Sequence, residues 1–356
     1  MFGEHYSRAL VRFPRKSLSR FVGLLWAVAL MALLWPMPSA VTQAAEAADP
    51  KTPPPAEDTE LVTTDGVRLV VTFYPGTKGK ETIPVVLLHG KNGSRKDFGR
   101  LAPYLQSLGH AVLVPDLRGH GDSTSRKNSE IPITADRMSS RDFAMMATMD
   151  MEKIKAFLIG RNNAGELNIE KLCLVGADMG ASVAICWTWL DWIRKPIGHT
   201  KQGQDVKAVV AISPEWNTQG LPLRTAMTSQ PPSILVYDSQ LQKAFKESEA
   251  MNFRLPVALD FRREVSVLIV VGKNTSSAIR DAKGINKMLQ PFHPEPPEEE
   301  RLEKQDLFYG EFDTKLQGTQ MFSANLGLER FIANFIQLRL VKRSFPWAER
   351  KDPYAE

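Results

Sequence analysis

The run Leu172-Cys173-Leu174-Val175-Gly176-Ala177-Asp178-Met179-Gly180-Ala181-Ser182-Val183-Ala184 decides the fold. It reads as a buried strand, a glycine-flanked turn and a helix rich in small residues. Gly176 and Gly180 bracket a single polar residue. A sharp strand-to-helix turn needs that spacing, because its centre is strained and side chains at its flanks would collide. Such a turn holds Asp178 at the carboxyl end of a sheet, where chemistry is done.

The flanking chain repeats the pattern. Ile83 to Leu88 and Ala111 to Pro115 are short continuous apolar runs, as are Val206 to Ile212 and Val265 to Val271. Continuous runs of that length mark strands covered on both faces, and helical periodicity over Phe98 to Leu108, between the first two, predicts a parallel crossover. Upstream, Glu60 to Thr64, Asp65-Gly66 and Val67 to Phe73 predict an antiparallel hairpin. A long helix is expected over about Arg141 to Ile159, capped by Ser139 or Ser140. Helices are also expected over Ala278 to Leu289 and Phe322 to Leu340, with a last strand at Asp306 to Tyr309. The fold class is α/β: a mostly parallel central sheet with an antiparallel N-terminal hairpin and helices on both faces.

Residues 1–47 have a different composition. Five Lys/Arg precede an uncharged apolar run from Phe21 to Trp35, which is shorter than the roughly twenty residues of a membrane span. A cleaved signal peptide or an N-terminal anchor is expected here, with cleavage at Ala44 or Ala47 left open and the folded part exported to a periplasmic or extracellular location. Membrane contact is expected only through residues 21–35, if uncleaved. Residues 48–58 form a Pro-rich linker and 59–340 the domain. Residues 216–263 read as a lid-like insertion, and 341–356 as a loosely attached polar tail.

Of the formal charge of +5, residues 1–40 carry +4. The rest of the chain is nearly neutral and has no basic patch interleaved with aromatics, so nucleic acid is not an expected partner. Cys173 and Cys186 lie at packing positions without metal-ligand spacing, so no metal or cofactor is expected.

Leu87-Leu88-His89-Gly90, Asp116-Leu117-Arg118-Gly119-His120-Gly121-Asp122-Ser123 and Gly176 to Gly180 together resemble motifs of the α/β-hydrolase superfamily, in its order. The resemblance covers about residues 59–340. It implies a nucleophile elbow at Asp178, where the superfamily's Gly-x-Ser-x-Gly carries serine. It implies oxyanion-hole amides at Met179 and at Lys91 or a neighbour. Asn274 stands where the family's acid could follow the later strand. Glu215 occupies the alternative place used by some haloalkane dehalogenases, and Gln317 stands about where the histidine is expected. Of the histidines, only His293 remains in the C-terminal part. His89 and His120 belong to scaffold motifs, and His199 lies in a polar loop.

Three readings follow. One is a hydrolase that uses Asp178 as nucleophile, with Glu215 and His293 as partners, on an unknown small-molecule substrate. The second is a non-catalytic binding or structural protein on an inactive hydrolase scaffold. In the third, Asp178 or Glu215 serves as a general acid or base, or as a metal ligand, without the family triad.

Overall fold

The chain divides into a unit Met1–Ala47 and a unit Ala48–Glu356. The computed structural model describes residues 52–228 and 260–351, all within the second unit. Its eight strands form one sheet: β1 (Glu57–Val62), β2 (Arg68–Tyr74), β3 (Pro84–Leu88), β4 (Ala111–Pro115), β5 (Leu172–Ala177), β6 (Val206–Ile212), β7 (Ser266–Gly272) and β8 (Leu307–Phe312). Their order is β1-β2-β4-β3-β5-β6-β7-β8. β2 pairs antiparallel with both β1 and β4, and every other pairing is parallel. The expected architecture is therefore the observed one. β3 to β7 are buried almost residue for residue, which is why they read as unbroken apolar runs.

Helices cover both faces. On one face α1 (Leu101–Ser107) and α6 (Leu328–Ile336) pack through Leu101, Leu105, Ile332 and Phe335. On the other lie α2 (Ser140–Met145), α3 (Met151–Asn163), α4 (Met179–Ile193) and α5 (Ser276–Leu289). The tryptophans Trp187, Trp189 and Trp192 of α4 are buried in that second core. Each large apolar side chain so buried contributes about 1.5–3 kcal/mol.

Ser139 caps α2 reciprocally with Asp142: Asp142 N–H donates to Ser139 Oγ at 3.3 Å, and Ser139 N–H to Asp142 Oδ2 at 2.9 Å. The expected long helix is α2 and α3 joined through a wider π turn, Met146–Asp150. The turn delivers Asp150 to Arg118, whose Nε donates to Asp150 Oδ1 at 2.9 Å while its Nη1 donates to Asp65 Oδ2 at 3.0 Å. Arg118 and Asp150 are both fully buried, so this arginine of the Asp-x-Arg-Gly-His-Gly-x-Ser loop is a structural tie.

The closing helix expected over Phe322 to Leu340 is broken. A 3-10 segment, Gly318–Ala324, is separated from α6 by Asn325 and Gly327, at φ 54° and 69°. Both residue types tolerate that left-handed conformation. The tail differs as well. Asn168, Asn162 and Asn163 donate side-chain N–H groups to the carbonyls of Phe345, Ala348 and Arg350 at 2.8, 3.0 and 2.8 Å. Residues 345–350 are thereby fastened to the body.

Of the lid-like insertion, residues 216–228 include a helical turn, Leu223–Met227, and 229–259 lie outside the described residues. Residues 21–35 also lie outside them. Among the described residues no helix is long and apolar enough to cross a membrane. The expected membrane anchor and exported location are corrected to that extent: no described helix supports either.

Candidate functional site

Asp178 joins β5 to α4 with φ 49° and ψ −116°, a sparsely populated conformation that costs about 1–3 kcal/mol and needs outside support. Its N–H donates to Ile212 O on β6 at 2.9 Å, which fastens the turn to the neighbouring strand. The bracketing glycines are required by contact. A β-carbon at Gly176 would lie 2.3 Å from Gly180 O, and one at Gly180 would lie 2.2 Å from Leu88 O. Strand, turn and helix can close this tightly only without those side chains.

The Asp178 carboxyl is half-buried against the main chain of two other loops. A β-carbon at Gly90 would stand 2.6 Å from Asp178 Oδ2, and one at Gly318 would stand 1.8 Å away. Among the described residues no hydrogen bond reaches this carboxyl. Burial, and then the neighbouring Glu215 carboxylate, push its pKa up to about 7. Asp178 and Glu215 are thus brought together. Glu215 is exposed as a residue, yet partial burial of its carboxyl and the nearby Asp281 hold its pKa above the ordinary value.

Met179 follows Asp178 and opens α4, and Lys91 follows Gly90 and lines the same cleft as Asp178. Among the described residues neither main-chain N–H donates a hydrogen bond. Two free amides near an elbow are the donors an oxyanion hole uses.

Gln317 lies at the wall of the same cleft, but its amide is committed elsewhere. Gln317 Oε1 accepts from Ser213 Oγ at 2.7 Å and from Gly272 N–H at 3.3 Å, while its Nε2 donates to Gly272 O at 3.0 Å. Ser213, at the tip of β6, also accepts Gly318 N–H at 3.0 Å. Across the cleft, Thr319 Oγ1 donates to Asp97 Oδ2 at 3.2 Å, tying this loop to the one after β3. The glycine pressed against Asp178 is held from both sides.

His293 is not part of this group. Its ring is close to Asp306, Asp260 and the Arg262 main chain, at the amino ends of β7 and β8, and burial lowers its pKa. Gln317 grips Gly272 at the carboxyl end of β7, and β7 is seven residues long. At a rise of about 3.3 Å per residue the two ends are roughly 20 Å apart, far beyond proton-transfer reach. His293 as a partner of Asp178 is therefore corrected by the fold.

His89 and His120 belong to the scaffold. His89 Nδ1 lies 2.8 Å from Gly90 O, and Leu117 N–H donates to His89 Nε2 at 3.0 Å. A neutral ring protonated at Nδ1 fits both contacts, and burial pushes its pKa down to about 4. His120 lies beside it, with centroids 5.1 Å apart and the rings tilted by 53°. Asn274 donates to Asp313 at 3.0 Å and so takes no part in the cleft.

Ser213 and Gly318 were not legible as site residues. A glycine directly after Gln317 was the available signal for a close approach, whereas nothing about a lone serine at a strand tip announces an anchor.

The cleft over Asp178 has a volume of about 660 Å³. Lys91, Asn92 and Asp97 form one bank, with Gln317, Thr319 and Gln320 on the other. Among the described residues no cluster of His, Cys, Asp and Glu is arranged to hold a metal ion.

Several known proteins resemble this chain in part. Residues 83–248 match the family described as alpha/beta hydrolase fold. Uncharacterized proteins from two strains of Mycobacterium tuberculosis are 27% identical over 183 residues, 51% of this chain. The match spans 56% of the length of those curated relatives. Among solved structures, an esterase of Pyrococcus furiosus is 16% identical with a TM-score of 0.48, over 81% of this chain and 93% of that one. A dienelactone hydrolase of Anabaena variabilis is 13% identical with a TM-score of 0.48, over 81% and 99%. An esterase of Exiguobacterium antarcticum is 17% identical with a TM-score of 0.46, over 79% and 100%. The chain is an α/β-hydrolase-fold protein.

Proposed function

We propose that this protein uses the elbow cleft to bind a small molecule without turning it over. One observation carries the reading: Gly318 main chain, not an imidazole, is packed against the Asp178 carboxyl, while Gln317 is held by Ser213 and Gly272. Hydrolysis through Asp178 would need a base to activate water for release of the covalent ester. Gln317 has no basic nitrogen, and His293 stands at the other end of the sheet. A carboxyl titrating near 7 is also partly protonated at neutral pH and is a weak nucleophile in that form. The free amides of Lys91 and Met179 remain useful to a binding site, as donors to a ligand oxygen.

A second reading keeps a reaction at Asp178, because its backbone adopts the strained conformation that presents a nucleophile. In that case attack on an epoxide or haloalkane, with ring opening or loss of halide, would leave a stable alkyl ester of Asp178, and attack on an ester, with loss of its alcohol, a labile mixed anhydride. Intact-mass measurement after incubation with panels of all three compound classes separates the two readings. The binding reading expects neither product nor mass increase. A mass increase that maps to Asp178 and vanishes in Asp178→Asn would replace it with the second. Multiple turnover lost in the same variant would overturn the binding reading outright.

A further inference from the structure

The cleft over Asp178 is lined only by glycines and polar residues among the described residues. That is unusual for a small-molecule site, where most of the lining is apolar. An acyl chain would gain little here, since its transfer from water depends on apolar surface to bury against.

The polar groups divide into committed and free. Gln317 is spent on Ser213 and Gly272, and Asp97 on Thr319 and the Ser94 N–H. Among the described residues the side chains of Asn92 and Gln320 make no hydrogen bond, and neither does the Asp178 carboxyl. The free set therefore holds acceptors and donors together: a carboxyl, two amides and the main-chain N–H groups of Lys91 and Met179. Groups that both donate and accept at adjacent positions satisfy such a set, and neighbouring hydroxyls do this. Charge narrows the choice further. Asp178 and Asp97 line the cleft with Glu215 near Asp178, and Lys91 is the one cation among the described lining residues, which disfavours a phosphate or carboxylate ligand.

Resting on the binding reading above, we propose that the Asp178 cleft takes a neutral ligand bearing vicinal hydroxyls, of the carbohydrate or polyol class. Asp178 accepts from a hydroxyl pair at the floor, and Asn92 and Gln320 bracket the ligand from opposite banks.

Saturation-transfer NMR on the full chain tests this, with D-glucose, D-galactose, D-mannose, maltotriose, myo-inositol and glycerol as probes. Methyl butyrate, butyrate and inorganic phosphate are the comparison set. The expected result is saturable binding of at least one hydroxylated probe. Asn92→Ala and Gln320→Ala, both at exposed positions, each weaken it about 3-fold to 10-fold, and Asp178→Asn weakens it at least about 10-fold. Sugars without polyols, or the reverse, identify which source the cleft prefers.

The proposal is overturned if no hydroxylated probe binds at about 10 mM, where a Kd near 1 mM would be evident. It is also overturned if binding is indifferent to all three substitutions, or if methyl butyrate, butyrate or phosphate competes better. Catalysed hydrolysis of methyl butyrate would instead defeat the binding reading itself, whatever the sugars do.

Discussion

Ser213 donates its hydroxyl to Gln317 Oε1 at 2.7 Å and with the same oxygen accepts the N–H of Gly318 at 3.0 Å. One side chain at the tip of β6 thus holds both Gln317 and Gly318, the latter pressed against Asp178. Ser213→Ala removes both bonds and leaves a buried Gly318 N–H without its partner. A loss of about 1–3 kcal/mol is expected, read as a lower urea midpoint with an unchanged slope. A midpoint equal to that of the parent chain would show that the loop is held by other contacts.

Gly318→Ala should cost more. Its φ of 54° disfavours a side chain, and the added carbon would stand 1.8 Å from Asp178 Oδ2. Strain of about 1–2 kcal/mol and overpacking of about 1–3 kcal/mol combine in the single variant. Shortening the opposing group in Asp178→Ala should recover the overpacking part and leave the strain. A double-mutant cycle measures this directly, with a coupling of at least about 1 kcal/mol expected. Additive losses would mean that the two residues do not press on each other.

Much of this arrangement was legible beforehand, for a physical reason. Covered strands betray themselves as unbroken apolar runs, and Gly176 and Gly180 are forced by contacts within a few residues of the turn. Gln317 was singled out by its place after the last strand, and it does line the cleft over Asp178. What could not be read depends on contacts between distant stretches. Ser213 is an ordinary serine until β8 brings Gln317 beside it, and His293 lies far from Asp178 only once the sheet order is known. Asn325 and Gly327 did carry a local signal, being residues that accept left-handed backbone, and amphipathic periodicity masked it. The tail looked unattached because its partners, Asn162, Asn163 and Asn168, are nearly two hundred residues earlier.

That tail supplies a prediction about stability. Arg350 is buried and pairs with Asp205 and with Glu170, the latter at 3.2 Å. Asp205 also meets Lys155 at 2.8 Å, and Lys155 in turn holds Asp191 at 2.6 Å. Removing one cation from such a group strands buried negative charge. Arg350→Ala is expected to cost about 3 kcal/mol by chemical denaturation. Trimming the chain after Val341 should cost at least as much, because it also removes the three asparagine contacts. A truncated chain as stable as the parent would show that the 345–350 segment is passive.

The carboxyl at the elbow sets the pH dependence. Asp178 titrates near 7 in the folded chain and near 4 when unfolded, so between those values the folded state binds the extra proton. Stability from this group is therefore fully present below about pH 4 and is lost as pH rises through 7. Above that, the folded chain carries a carboxylate that burial and Glu215 both disfavour. Asp178→Asn keeps the shape and removes the charge. It should stabilise the protein by about 1–3 kcal/mol at pH 8 and by much less at pH 5, in urea titrations at the two pH values. An equal effect at both would place the Asp178 titration outside this window. A loss at pH 8 would mean that the ionised carboxylate is the form the fold prefers.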